Sequence, residues 1–273
     1  MAAPVVEENV EFIVNTGSGG TVNSMIALAA GNLGVAGVAN FSGAGGSETD
    51  LTISDSVDGA WTVIARVHAG GGTAVNVGMF YKANTTGGTV NVTWASNSGG
   101  ITLFIYEVSG AVTVTPLIGS NSNTVLAGTL FDSLNVDNTG KDDALYAATM
   151  CNDIAGNPVT LNINQTGTEG TWVRFGAASD ELNGTDNMVG QILYQAVTTG
   201  SSRGHVWGTT SANGSMVIAA FEGVAGTPQF ARPTSDSSVG TWTTDLGGTT
   251  NLYATIDEVS VDDADYMQSV AGP

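Results

Sequence analysis

The chain has 273 residues, enough for about two domains of typical size, and it contains 38 glycines but only 11% charged residues. Twenty-five acidic residues against six basic ones give a formal net charge of −19. No lysine or arginine cluster is present, which excludes nucleic-acid phosphate as a partner and disfavours anionic membrane surfaces. A hydrophobic fraction of 42% can bury a core and argues against disorder.

Short runs of β-branched and aromatic residues follow one another from the amino end, separated by turns rich in Gly, Asn and Ser. Residues 90–94 alternate apolar and polar side chains, as a strand with one buried face does. Residues 101–108 are almost all apolar, which indicates a strand covered on both faces. The Asn-Gly and Gly-Gly turns tolerate the positive φ that hairpins require. No stretch has a helical apolar period, so the sequence predicts an all-β fold.

A second series of landmarks repeats the first in the same order, which predicts an internal duplication. The matched residues are Trp61 and Trp172, 111 apart, Trp94 and Trp207, 113 apart, and Glu107 and Glu222, 115 apart.

This repeat predicts two tandem β-sandwich domains of the jelly-roll or immunoglobulin-like kind, residues 1–112 and 113–227. Residues 228–273 form a short β-rich extension that is too small to bury a core alone. It either packs on the second sandwich or adds strands to a neighbouring subunit.

The only cysteine, Cys151, allows no intramolecular disulfide, which suits folding in a reducing cytoplasm. The amino end has no basic region followed by an apolar core, so we expect no signal peptide. No apolar stretch is long enough to cross a bilayer, and we expect no membrane insertion.

Candidates for chemistry are few. The two histidines, His68 and His205, lack the companions of a zinc site or a catalytic triad. Glu107 and Glu222 occupy equivalent repeat positions, which favours a fold feature over a paired-carboxylate site; a carboxylate at a strand end can accept bonds from backbone N–H groups of a turn. We therefore expect no enzyme activity.

Acidic and aromatic residues provide the remaining candidates. A calcium site is possible in the densest acidic cluster, because calcium takes six to eight oxygen ligands; its members are Asp257, Glu258, Asp262, Asp263 and Asp265. A weaker group comprises Asp50, Asp55 and Asp58.

The four repeated tryptophans at 61, 94, 172 and 207 are predicted to be core residues, because they recur in register. Trp242, together with Tyr253 and Tyr266, lies outside the repeat and is the better candidate for contact with a partner or glycan.

Several short motifs resemble known proteins. Residues 232–236, 240–242, 252–258 and 262–269 resemble a segment common in structural proteins of tailed phages and prophages. In the first repeat, residues 55–62, 81–84 and 107–110 resemble β-sandwich modules of phage and environmental bacterial sequences. The resemblance implies a virion protein made in the host cytoplasm, which decorates the capsid or belongs to a head fibre or tail. It also implies a homo-oligomer, with a trimer favoured, and contacts with other virion proteins.

Two functions follow as hypotheses. The first is a non-enzymatic structural protein of a virion. The alternative is a carbohydrate-binding adhesin module that recognises a glycan on a host surface. Exposed aromatic residues in a shallow groove would favour the adhesin, and an apolar patch shared by identical chains would favour assembly.

Overall fold

The computed structural model describes residues 4–14, 20–42, 52–69, 74–94, 98–138, 141, 143–154, 162–163, 172–174, 187–197 and 202–224. These residues all belong to one compact unit, Ala2–Val224. They form strands and no helix, so the all-β prediction is confirmed for the described part of the chain, which accordingly contains no helix that could span a membrane.

The strands of the first half are β1 (Val5–Val14), β2 (Gly20–Ala27), β3 (Leu33–Ser42), β4 (Thr52–Asp55), β5 (Gly59–Ala60), β6 (Thr62–Ala69), β7 (Ala74–Lys82), β8 (Thr89–Trp94) and β9 (Ser98–Ser109). Those of the second half are β10 (Leu117–Asp132), β11 (Val136–Asp137), β12 (Ala144–Ile154), β13 (Asn162–Ile163), β14 (Val173–Arg174), β15 (Asn187–Val197), β16 (Ser202–Arg203) and β17 (Val206–Glu222).

The first half forms two antiparallel sheets. One has five strands in the order β1-β9-β3-β7-β6, and the other has four in the order β2-β8-β4-β5. The strands that the sequence placed at 90–94 and 101–108 correspond to β8 and β9. β9 lies between two neighbours, as its apolar sequence predicted for a central strand.

The second half is also antiparallel. Its larger sheet has the order β10-β17-β12-β15-β14, and β13 adds to β17. β11 and β16 form a separate two-stranded ladder. β10 and β17 are the longest described strands, at 16 and 17 residues.

The five-stranded sheet packs on the larger sheet of the second half through one apolar core. Successive side chains of a strand point to opposite faces of the sheet. Leu33 and Val35 lie on the face of β3 that packs in this core, and Leu145 and Ala147 lie on the face of β12 that packs there. The Tyr81 and Phe221 rings meet edge to face with centroids 5.8 Å apart. This core therefore combines residues from both predicted repeats.

A hydrogen bond also joins the two sheets, from the buried Ser215 hydroxyl to the carbonyl oxygen of Val75 at 2.9 Å. The described parts of 1–112 and 113–227 thus share a core within one compact unit. Their division into two sandwich domains stays a prediction, and residues 228–273 lie outside the described residues.

The opposite face of the five-stranded sheet is buried as well, at Ala36, Val38 and Ile105. The indole of Trp61 lies directly over Gly34, where a Cβ atom would approach Cζ2 of Trp61 to 3.0 Å. Glycine at this position lets the ring lie against the strand backbone.

Candidate functional site

Asp55 organises the turn between β4 and β5. Its Oδ1 accepts hydrogen bonds from the backbone N–H groups of Val57, at 2.8 Å, and Asp58, while Oδ2 accepts one from Nε1 of Trp61 at 3.0 Å. An aspartate that binds the backbone two residues on forms an Asx turn. Because Asp55 and Trp61 are both buried, the carboxylate fixes the turn and orients the indole.

Asp58 connects the same turn to the loop before β8. Its Oδ1 accepts a hydrogen bond from the Thr86 hydroxyl at 2.6 Å, and Oδ2 accepts one from the Thr86 backbone N–H at 2.8 Å. These two bonds lower the pKa of Asp58, and the bond from the Thr86 hydroxyl has the larger effect. Lys82 donates to the carbonyl oxygen of Asp58 at 2.9 Å.

Of the group Asp50, Asp55 and Asp58, the structure describes the last two. The carboxylate oxygens of Asp55 and Asp58 already accept protein donors, and Asp50 lies outside the described residues. Across the described ranges no group of three or more His, Cys, Asp or Glu side chains is placed to hold a metal ion.

Glu107 lies near the end of β9 and Glu222 ends β17, and the two carboxylates have different surroundings. Glu107 is 4% exposed, and its Oε1 accepts bonds from the backbone N–H of Ala29 at 2.8 Å and from Nδ2 of Asn32 at 2.6 Å. Glu222 forms an ion pair with Lys141 at 2.8 Å, with the two side chains 28% and 45% exposed. Glu107 fixes the turn before β3, whereas Glu222 lies at a more solvated edge. The two carboxylates thus have separate partners.

Among the residues that the structure describes, His205 is an ionisable residue in an unusual environment. Its side chain has no exposed surface, and neither ring nitrogen has a hydrogen-bond partner. The imidazole meets Trp207 and Trp172 edge to face, with centroid distances of 4.6 and 5.2 Å. Burial lowers its pKa to about 4, because the charged form would lose its hydration.

The backbone around His205 is held firmly. Its N–H donates to the Ser133 hydroxyl, and its carbonyl accepts from the Ser133 N–H, both at 2.9 Å. His68 differs, since its Nδ1 lies 2.9 Å from Oδ1 of Asn76. His68 lies in β6, and His205 precedes β17.

The repeated tryptophans were predicted to be core residues, and Trp61, Trp172 and Trp207 are buried. Trp94 lies in β8, with its side chain outside the description. The glycan candidates Trp242, Tyr253 and Tyr266 lie outside the described residues, as does the calcium candidate cluster Asp257, Glu258, Asp262, Asp263 and Asp265.

One surface was missed by the sequence reasoning. β10 is one of the two outer strands of its sheet in the described part of the chain, and Leu126 and Leu130 in it are 64% and 58% exposed.

Comparison with known proteins identifies no relative: no family model, no curated protein and no solved structure matches this chain.

Proposed function

We propose that the chain is a non-enzymatic structural protein of a bacteriophage virion, which decorates the capsid or forms part of a head fibre or tail. The observation that carries this proposal is the role of the residues in the phage-like motifs. Asp55 and Trp61 fix a turn, Glu107 fixes the loop before β3, and Tyr81 packs in the shared core. Within the described residues these motifs stabilise a scaffold rather than line a reactive site.

We further propose that the scaffold arose by duplication. The strand order β1-β9-β3-β7-β6 of the first half corresponds, strand for strand along the chain, to β10-β17-β12-β15-β14 of the second. Glu107 pairs with Gly34 at the start of β3, and Glu222 pairs with Ala144 at the start of β12. The same order of strands, together with the repeated tryptophans, supports two copies of one sandwich module.

The proposed protein works as a homo-oligomer that contacts other virion proteins. A net charge of −19 keeps a protein present in many copies soluble through self-repulsion. Contacts that hold several identical copies on a lattice gain from avidity, so each one can be weak. A host-surface glycan and a calcium ion remain proposals that rest on residues 242–266.

The proposal is tested by measuring the solution mass of the full chain by light scattering, with and without residues 228–273. We expect a discrete oligomer, and loss of mass on deletion would assign the extension to pairing between subunits. A monomer in both forms would contradict the proposal and make the carbohydrate-binding adhesin the leading hypothesis. Glycan-binding screens of the same sample would then follow.

A further inference from the structure

Arg66 is a cation in an acidic chain, and the described residues provide no carboxylate for it. It lies in β6, an outer strand of the five-stranded sheet. No acidic side chain among the described residues forms an ion pair with it. The two lysines differ: Lys141 forms an ion pair with Glu222, and Lys82 donates to a backbone carbonyl oxygen at 2.9 Å. With 25 acidic residues in the chain, an arginine left in this state indicates a site for an anion from outside the described fold.

The sheet holds the guanidinium of Arg66 over an aromatic ring. Arg66 is paired with Gly78 of β7, which has no side chain to fill the space above the sheet. The arginine extends over the next residue on that face, Phe80, and its Cζ atom lies 5.5 Å from the ring centroid. Phe80 is fully buried, and Nε of Arg66 is buried without a hydrogen-bond partner. A partly desolvated cation attracts an anion more strongly than a hydrated one, because less water screens its charge.

His68 lies two residues further along the same face of β6. Its Nδ1 is 2.9 Å from Oδ1 of Asn76, a fully buried residue of β7. An amide oxygen only accepts hydrogen bonds, so Nδ1 carries the hydrogen and Nε2 of the neutral ring is an acceptor. Alternate residues of a strand are about 7 Å apart. β6 therefore presents a cation and a hydrogen-bond acceptor at that spacing.

Val63 extends this row with an apolar side chain. It is paired with Phe80 and is 40% exposed. Directly paired residues of neighbouring strands point to the same face of a sheet. Val63, Arg66 and His68 thus lie along one face of an outer strand, and each provides a different kind of contact.

We infer that this row binds a sugar acid, with the carboxylate on Arg66 and a ring hydroxyl on His68. The planar guanidinium can donate two parallel hydrogen bonds to a carboxylate, and Nε2 of His68 accepts the hydroxyl hydrogen. A uronic acid carries a carboxylate and hydroxyl groups on opposite sides of one ring, so a single residue spans both side chains. The apolar face of that ring packs on Val63.

The charge of the chain restricts the ligand further. A net charge of −19 repels a ligand with many negative groups, and this repulsion acts over a longer range than one short ion pair. A single arginine therefore suits one carboxylate rather than a polyanion. The site lies apart from the glycan candidates at 242–266 and does not depend on self-association of the chain.

The test titrates the full chain with glucuronate and with glucose, which differ only at C6, and with acetate, which has the carboxylate alone. Isothermal titration calorimetry at neutral pH and constant ionic strength measures the affinities. We expect saturable binding of glucuronate, and binding about tenfold weaker or less for glucose and acetate. A disaccharide ending in glucuronate distinguishes the two sources of such an acid: tighter binding than the monosaccharide assigns the site to a glycan chain, and weaker binding assigns it to the free sugar.

Substitutions assign the binding to this row. Arg66→Gln removes the charge, and His68→Phe keeps a ring but removes the acceptor; each should weaken glucuronate binding about tenfold. Arg66→Lys keeps the charge without the planar fork and should give a smaller loss. Lys141→Gln is the matched control, because it removes the same charge from a side chain that is 45% exposed elsewhere, and should leave the affinity unchanged. Far-UV circular dichroism verifies that each variant is folded.

Three results would overturn the inference. They are no saturable binding of glucuronate up to about 20 mM, equal affinities for glucuronate and acetate, and an unchanged affinity in folded Arg66→Gln. The first and second need only the wild-type chain, so they hold even if a variant fails to fold. None of them bears on the proposed self-association, which the solution mass measures separately.

Discussion

Acidification should destabilise the second half of the fold through His205. In the folded chain the imidazole lies against Trp172 and Trp207 with neither nitrogen hydrogen-bonded, and burial lowers its pKa from 6.5 to about 4. In the unfolded chain the ring is hydrated and takes up a proton near its usual pKa. Because the unfolded chain binds this proton more readily, the free energy of unfolding falls as the pH drops from above 6.5 towards 4.

The size of the effect follows from the two pKa values. A difference from 6.5 to about 4 corresponds to about 3 kcal/mol, of which about 2.5 kcal/mol is lost between pH 7.5 and pH 4.5. Acidic groups titrate in the same window, so the comparison needs a variant without the histidine. His205→Phe keeps an aromatic ring of similar size between Trp172 and Trp207 and has no proton to gain.

Urea unfolding of the wild type and His205→Phe at both pH values measures the difference. We expect the wild type to lose about 2.5 kcal/mol more than His205→Phe on acidification. Equal losses in the wild type and His205→Phe would refute the idea that His205 is buried as a neutral ring.

Four further substitutions test individual contacts of the fold, each measured by urea unfolding at neutral pH. Glu107→Ala should lower the free energy of unfolding by about 2 kcal/mol, because two donors lose their acceptor in a buried site. Glu222→Ala removes a solvated ion pair and should lower it by less than about 1 kcal/mol. Equal costs would show that Glu107 is as solvated as its counterpart. Asp55→Ala should cost about 2 kcal/mol and change the fluorescence of Trp61, which loses its Nε1 acceptor; an unchanged stability would contradict the role of Asp55 in the turn. Gly34→Ala should cost about 1–3 kcal/mol through overpacking against Trp61, and a neutral result would mean that the ring moves freely.

Much of the strand pattern could be predicted from the sequence, because local signals determine it. The alternation at 90–94 and the apolar run at 101–108 fall in β8 and β9. The duplication that the repeated tryptophans and glutamates predicted stays a prediction. The repeated tryptophans whose side chains the structure describes, Trp61, Trp172 and Trp207, are buried.

The packing between the halves could not be predicted in this way. Leu33 and Leu145 belong to separate predicted domains, yet both lie in one core. An apolar strand face needs to be covered, but the sequence of that strand does not specify which other sheet covers it. The partners of Glu107 and Glu222 could not be predicted for the same reason. Asn32 lies beside Glu107, and Lys141 beside Glu222, only in the folded chain.

The central claim is that this chain functions by associating with copies of itself. Native mass spectrometry of the full chain at low micromolar concentration tests it most directly. The account predicts one discrete species at a multiple of the chain mass. A spectrum that shows only the single chain at every concentration would contradict it.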